Sequence, residues 1–285
     1  MLPARTIKTM TTRSDQPRPR RADVADGYDR GVDAYEALWS PVILPPAAAL
    51  VPFLVPPGRP LVADVGGGTG ALLGAIRSAA PRARVVTLDA SAQMLRAARA
   101  RRGASAVVAD AVSLPFRDES ADAVILAYVL FHVADPWQAV AEAARVLRPG
   151  ARAGVITWAW ERGSRADAVW SRALTGAGVP PAPLRRVDAA LDTPGAVAAL
   201  LRSAGLTPER VWPQRLHHQW DRSSYWELAT GWGPDRARLN RIDAGARGRL
   251  LDRVHADLDR LDPAGFRWEG EVICAVAARD GSARA

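Results

Sequence analysis

The sequence predicts an α/β fold, a doubly wound parallel sheet with helices on both faces. Three observations carry this reading. From about residue 60 to 160, short apolar runs alternate with segments of helical periodicity. Runs such as "AVILA" are apolar throughout, as strands covered on both faces are. The first such run opens into "DVGGGTG", residues Asp64 to Gly70, with four glycines in seven positions. A chain accepts that entropy cost where its backbone must turn tightly or lie against a ligand.

The elements follow in chain order. Residues 1–22 read as a disordered basic tail, and 23–58 as an N-terminal helical lid broken by Pro41, Pro45 and Pro46. "RPLVADV" is a strand running into the glycine loop. "ALLGAIRSA" is a helix with Leu72, Leu73 and Ile76 at helical spacing. "ARVVTLDA" is a second strand, and "SAQMLRAARARR" a helix capped by Ser91. "ASAVVADA" and "ADAVILAY" are further strands. "DPWQAVAEAARVLRPG" is a helix with Asp135 as cap, Pro136 at its first position and Gly150 beyond its end. "ARAGVITWAW" completes a core spanning 59–160.

In 161–285 the pattern loosens. "DTPGAVAALLRSAGL" is a helix capped by Thr193 or Asp192, started by Pro194 and ended by Gly205. "RVWPQRLHHQW" is a strand broken by Pro213. "SSYWELATGWG" and "AGARGRLLDRVHADLDRL" are helical, and "EGEVICAVAAR" is the last strand.

Composition narrows the function. The chain has 285 residues, 48% of them hydrophobic, enough for a sizeable core. No apolar run is read as reaching the roughly 18 residues of a membrane helix, so no membrane insertion is expected. The polar N-terminus lacks a secretory apolar stretch, and a cytoplasmic location is expected. Cys274, the one cysteine, reads as a buried strand thiol. The net charge of +8 comes from 37 Arg and one Lys spread along the chain, a pattern of composition rather than of a nucleic-acid arm. Only Arg18, Arg20 and Arg21 cluster, in the tail.

In open parallel sheets, ligands bind beyond the carboxyl ends of the strands, at the switch point. The glycine loop lies there. Gly66-x-Gly68-x-x-Ala71 also matches the dinucleotide fingerprint, and Asp89 closes the second strand where a carboxylate can accept from both ribose hydroxyls. Both nicotinamide and adenosylmethionine enzymes are compatible with that much.

The next stretch separates them. "VVADAVSLPFRDESADAVILAYVLFHVADP" places Asp110 at the end of the third strand, an "LPF" turn, and Asp122 at the start of the fourth. With "LVADVGGGTGALL", "VVTLDASAQML" and "YVLFHVADPWQAVAEAARVLRPGARAGVITW", the chain resembles the class I S-adenosylmethionine-dependent methyltransferases, in particular the type 11 domain that includes the ubiquinone/menaquinone-pathway enzymes. The resemblance covers roughly residues 60 to 160.

It implies a Rossmann-like, mostly parallel seven-stranded sheet with an antiparallel last strand, plus helical additions at both ends. It also implies S-adenosyl-L-methionine as cofactor, S-adenosyl-L-homocysteine as product, and a small-molecule methyl acceptor reached by in-line displacement. By the same resemblance, Asp64, Gly66, Gly67, Gly68 and Gly70 would hold the methionine portion and ribose, and Asp89 the ribose hydroxyls with Ala90 beside it. Met94 would pack on the adenine. Asp110 would accept from its amino group, and the Ala111 N–H would meet a ring nitrogen. Tyr128 would stand near the sulfonium, and Tyr35 would touch the donor from the lid. Gly67, where many relatives have cysteine, and Tyr128, where many have a small polar residue, depart from the family pattern.

The acceptor is less legible. His132 is the candidate general base, at the ligand edge after the fourth strand. His217 and His218 point to opposite sides of a strand, and His255 falls on a solvated helix face. No spacing suits a metal site. Eight of ten tryptophans follow position 157, which reads equally as core filling or as an aromatic acceptor pocket. Two other readings stay open: an NAD(P)-binding oxidoreductase and a non-catalytic S-adenosylmethionine-binding protein. The segment after the fourth strand lacks the Asn/Asp-Pro-Pro-aromatic motif of base methylation, which argues against nucleic acid.

Overall fold

The computed structural model describes residues 21–180 and 191–281. Residues 1–20, which hold most of the expected tail and its Arg18 and Arg20, lie outside them. The chain opens with α1 (Arg21–Asp29) and α2 (Val32–Ala34), a π-helical turn (Tyr35–Trp39) and α3 (Ser40–Leu54). The core alternates β1 (Leu61–Val65), α4 (Leu73–Ala79), β2 (Arg84–Asp89), α5 (Ala92–Arg102), β3 (Ser105–Val108), β4 (Ala121–Ala127), α6 (Pro136–Val146) and β5 (Leu147–Arg162). Then come α7 (Arg165–Gly176), α8 (Pro194–Ser203), β6 (Leu206–Gln219), α9 (Arg222–Gly231), α10 (Gly233–Leu239), α11 (Ala244–Asp259) and β7 (Arg267–Arg279).

One seven-stranded sheet has the order β3-β2-β1-β4-β5-β7-β6. The first five strands pair in parallel, and β7 runs antiparallel between β5 and β6. The chain winds outward in two directions from β1 and β4, which opens a crevice beyond their carboxyl ends. Alternate residues of one strand serve two cores. In β4, Ala123 and Ile125 belong to the core that includes residues of α3 and α7, while Val124 and Leu126 belong to the core that includes residues of α6 and α8. The caps fall where the sequence puts them: Ser91, Asp135 and Thr193 accept from the N–H groups of Met94, Gln138 and Ala196.

Three local readings need correction. Pro41, at the start of α3, and Pro45 and Pro46 within it do not break the helical run. Its inner face (Val42, Ile43, Ala47, Leu50, Val51, Leu54) is buried, and that burial offsets the lost donors. Leu54 lies so close to the sheet that a Cβ on Gly154 would meet it at 2.3 Å. With the prolines included, Val32–Leu54 is a continuous helical run of 23 residues. By length and composition alone it could cross a bilayer, contrary to the expectation; here it packs on the sheet, and 44% of its apolar 18-residue stretch is buried. Pro213 does not break β6 either, because an edge strand tolerates a proline whose nitrogen faces away from its neighbour.

Helix α7 is an addition to the sequence reading. It starts with a reciprocal cap, in which Ser164 Oγ accepts from Asp167 N–H and Asp167 accepts from Ser164 N–H at 2.6 Å. Trp170 on this helix is fully buried. Cys274 is buried in β7 as expected, and burial pushes its thiol up to about 12, out of the range of a nucleophile. Trp170→Ala is expected to lower stability by about 3–5 kcal/mol through the cavity it leaves, read by urea denaturation. A change below about 1 kcal/mol would show that α7 is not part of the cooperative core.

Candidate active site

A cavity of about 500 Å³ opens at the carboxyl ends of the central strands. Its floor is the glycine loop. Gly67 has its back to the core: a Cβ there would stand 2.3 Å from Asp64 Oδ2 and 2.7 Å from Thr87. Gly68 has φ +55, and an added Cβ would meet only Asp89 Oδ2, at 4.0 Å. The bare backbone at Gly68 therefore faces open space. The following helix begins at Leu73, two residues later than the Ala71 start read from the sequence, so Ala71 and Leu72 still belong to the turns of the loop.

Asp89 ties this floor together. Its Oδ2 accepts from Gly68 N–H at 2.9 Å and its Oδ1 from Ser91 N–H at 2.8 Å. Burial raises its pKa, and those N–H groups hold the rise back. Behind it, Asp64 is 1% exposed and its Oδ2 has no hydrogen-bond partner. Burial, then the neighbouring Asp89 carboxylate, push Asp64 up to about 7. Asp110 Oδ1 accepts from Val112 N–H at 3.2 Å, closing the turn after β3.

Aromatic side chains roof the cavity. Tyr28, Tyr35 and Trp39 descend from the N-terminal segment, Tyr128, Phe131 and His132 from the β4 end, Trp158 and Glu161 from β5, and Trp232 from the α9–α10 junction. Tyr28 and Tyr35 meet edge to face at 5.5 Å, and Tyr128 lies 5.4 Å from Trp158. Tyr128 has φ +61, a conformation that bulky residues rarely adopt. Burial keeps the Tyr28 phenol protonated, and it shares a 2.9 Å hydrogen bond with His132 Nε2. The roof is latched to α5: Asp29 bonds Ser91 Oγ and Gln93 N–H, and Glu36 pairs with Arg101 and Arg102.

Of the residues named from sequence, Tyr35, Gly66, Gly68, Asp89, Ala90, Met94, Asp110, Ala111, Tyr128 and His132 line the cavity together. Asp64, Gly67 and Gly70 do not line it. Gly67 instead accommodates the Asp64 carboxylate, so a cysteine at this backbone position would collide with Asp64. His217 and His218 are absent from the lining, and His255 lies on the exposed face of α11 beside Asp259 at 3.4 Å. The tryptophans divide between the two readings: Trp39, Trp158 and Trp232 line the cavity, while Trp170 packs against Trp226 in the core. The sequence reading missed the Tyr28–His132 bond, Glu161 and the place of Trp232. The tryptophan-rich C-terminal half was the only signal for the last.

The described lining holds three carboxylates, Asp89, Asp110 and Glu161, and neither Arg nor Lys. Among the described residues no cluster of His, Cys, Asp or Glu is placed to hold a metal ion. Such a lining disfavours a diphosphate, and the Gly68 N–H that a pyrophosphate would use is already given to Asp89. It suits a nucleoside that carries positive charge, resting on Gly68 beside Asp89.

Comparison with known proteins agrees with this geometry. Residues 63–155 match the family model described as "Methyltransferase domain". The chain is 38% identical over 115 residues to a ubiquinone/menaquinone biosynthesis C-methyltransferase UbiE of Dinoroseobacter shibae, covering 38% of this chain and 46% of that one. It is 37% identical over 143 residues to a malonyl-[acyl-carrier protein] O-methyltransferase of Methylococcus capsulatus, covering 47% and 48%. The chain thus spans about half the length of these curated relatives. Its fold matches a Haemonchus contortus phosphoethanolamine N-methyltransferase 2 in complex with phosphomonomethylethanolamine and S-adenosylhomocysteine, with TM-score 0.51 and 16% identity, covering 91% of this chain and 59% of that one.

The buried acid has a consequence for stability. Asp64 titrates near 3.8 in the unfolded chain and at about 7 in the folded one. Between these values the folded state keeps a proton that the unfolded state has lost. Stability from this group is therefore full below about pH 4 and is lost as pH rises to about 7, by roughly 4 kcal/mol. Asp64→Asn removes that loss. Urea denaturation of the ligand-free protein is expected to show the variant gaining on the wild type by several kcal/mol between pH 4 and pH 8. A difference that does not vary with pH would mean that Asp64 ionises normally.

Proposed function

We propose that the chain, whose residues 63–155 match a methyltransferase domain model, is an S-adenosylmethionine-dependent methyltransferase that methylates a small hydrophobic or aromatic molecule by in-line displacement. The observation that carries this is the cavity itself. It lies at the switch point of the sheet, is lined by carboxylates without Arg or Lys among the described residues, has a floor open at Gly68, and is roofed by aromatic rings.

When bound, the donor supplies a methyl group activated by a positive sulfonium. The chain's residues then have four tasks. Asp89 and the backbone at Gly66 and Gly68 hold the ribose and the chain beside it. Ala90, Met94, Asp110 and Ala111 take the adenine, with Met94 buried beneath it. Tyr35 and Tyr128 present ring faces to positive charge, an attraction that strengthens when water is excluded. The remaining wall, Trp39, Trp158 and Trp232, orients a flat acceptor and keeps water out. His132, held by Tyr28, receives a proton where the acceptor must lose one.

The carboxylate-rich lining and the occupied Gly68 N–H count against the dinucleotide reading. The test is direct. The protein is equilibrated with S-adenosylmethionine, S-adenosylhomocysteine and NAD(P) in turn by calorimetry, then given the donor with a panel of small aromatic and aliphatic acceptors, with products read by mass spectrometry. The proposal expects donor binding and at least one product 14 mass units heavier. NAD(P) binding without donor binding would overturn it in favour of an oxidoreductase, and donor binding without any product in favour of a binding protein.

Asp89→Ala is expected to weaken S-adenosylhomocysteine binding about 5- to 150-fold, the scale of lost charge-assisted bonds. Gly68→Val, whose side chain would fill the open floor, is expected to abolish it. Unchanged affinity in both variants would place the donor elsewhere.

A further inference from the structure

Trp232 is more than 160 residues from the glycine loop in sequence, yet it completes the cavity wall. It ends α9 and caps α10. Its indole stacks on Trp39, with ring centroids 5.9 Å apart and planes at 26°, and meets Tyr35 at 5.2 Å and Tyr28 at 5.8 Å. Trp39 in turn faces Trp158 at 6.4 Å, so these rings form one continuous aromatic wall.

Two glycines let the indole reach that place. A Cβ on Gly31 would lie 2.6 Å from Trp232 Cδ1, and a Cβ on Gly231 would lie 2.8 Å from Ala34 Cβ. Gly31 has φ −135, and Gly231 is not among the glycines with positive φ. Neither position needs glycine for its backbone angles; both need it for the closeness of the contact. Arg236 clamps the same junction by donating to the carbonyls of Arg30 and Gly231. The N-terminal cap and the C-terminal insertion are thus pressed together at the point where Trp232 enters the cavity.

We propose that Trp232 is the specificity-determining residue for acceptor size, and that the Gly31–Gly231 contact sets how far its indole projects. This rests on reading the cavity as a methyl-donor and acceptor site. A rigid indole is a fixed boundary, and Trp232 lines the cavity beside Trp39 and Trp158. Shortening this residue enlarges the acceptor compartment, and the glycine floor, Asp89 and Asp110 are left as they are. A side chain on Gly31 pushes the indole out of place without itself belonging to the cavity wall.

The test uses the full chain saturated with S-adenosylhomocysteine and three probes of increasing size: phenol, 2-naphthol and 2-hydroxyanthracene. Calorimetry gives the affinity of each. In W232A the ratio of three-ring to one-ring affinity is expected to rise about tenfold or more, the scale on which apolar pockets discriminate size. G31V is expected to raise it in the same direction, and W232F to return it to within about threefold of wild type. W232L, which keeps an apolar side chain at the junction, carries the same expectation as W232A should the alanine variant fail to fold.

A ratio unchanged within twofold in W232A or W232L, with S-adenosylhomocysteine affinity intact, overturns the proposal and leaves the donor reading standing. Failure of all three probes to bind the wild type overturns it too, because the compartment would not accept aromatic rings. Failure of S-adenosylhomocysteine itself to bind brings down the donor reading, and this inference with it.

Discussion

The site depends on one carboxylate. Asp89 ends β2 and accepts from Gly68 N–H in the loop after β1 and from Ser91 N–H at the start of α5. Two backbone donors from separate segments converge on its two oxygens. That holds the glycine loop against the neighbouring strand and turns the bare backbone at Gly68 toward the cavity. Charge-assisted bonds of this kind are the strong ones, and here they position the floor and leave the carboxylate at the cavity wall. Gly67 completes the arrangement from behind, because only a residue without Cβ leaves room for Asp64.

Electrostatics then divide the molecule in two. The chain carries 38 basic and 30 acidic side chains, yet the described lining of the cavity shows acids alone. Beneath the loop Asp64 Oδ2 has no partner, and burial beside Asp89 raises the pKa of this acid because ionising it in a dry site is costly, so it favours the neutral form. Net charge is thus a poor guide to what this protein binds. A ligand at the strand ends meets Asp89, Asp110 and Glu161 rather than the chain's total charge.

The roof follows a different logic. It is assembled from segments that the sheet does not order: the N-terminal helices, the end of β5 and the α9–α10 junction. Polar latches such as Asp29 on Ser91 and Glu36 on Arg101 and Arg102 lie at its rim, and aromatic rings face inward. Where the two ends of the chain meet, close contact is bought by glycine at 31 and 231. The floor is therefore held by hydrogen bonds within a regular sheet, and the roof by packing between additions. Floors of this type recur across a fold, whereas a roof built from additions is free to vary with the acceptor.

What the sequence determined by itself is the floor. The alternation of strands and helices, the caps at Ser91, Asp135 and Thr193, and the acids after β2 and β3 follow from neighbours a few residues apart. Local chemistry of that range is written directly in the order of residues. It misjudged the prolines at 45, 46 and 213, because whether a proline breaks an element depends on what packs against the element and which edge it occupies. Tertiary structure alone decided that Tyr28 reaches His132, that Gly67 serves Asp64 rather than the cavity, and that Trp232 walls the acceptor side. Each of these joins residues between 3 and more than 200 positions apart through shape and burial, and no spacing in the chain encodes which surfaces will be pressed together once the core has formed.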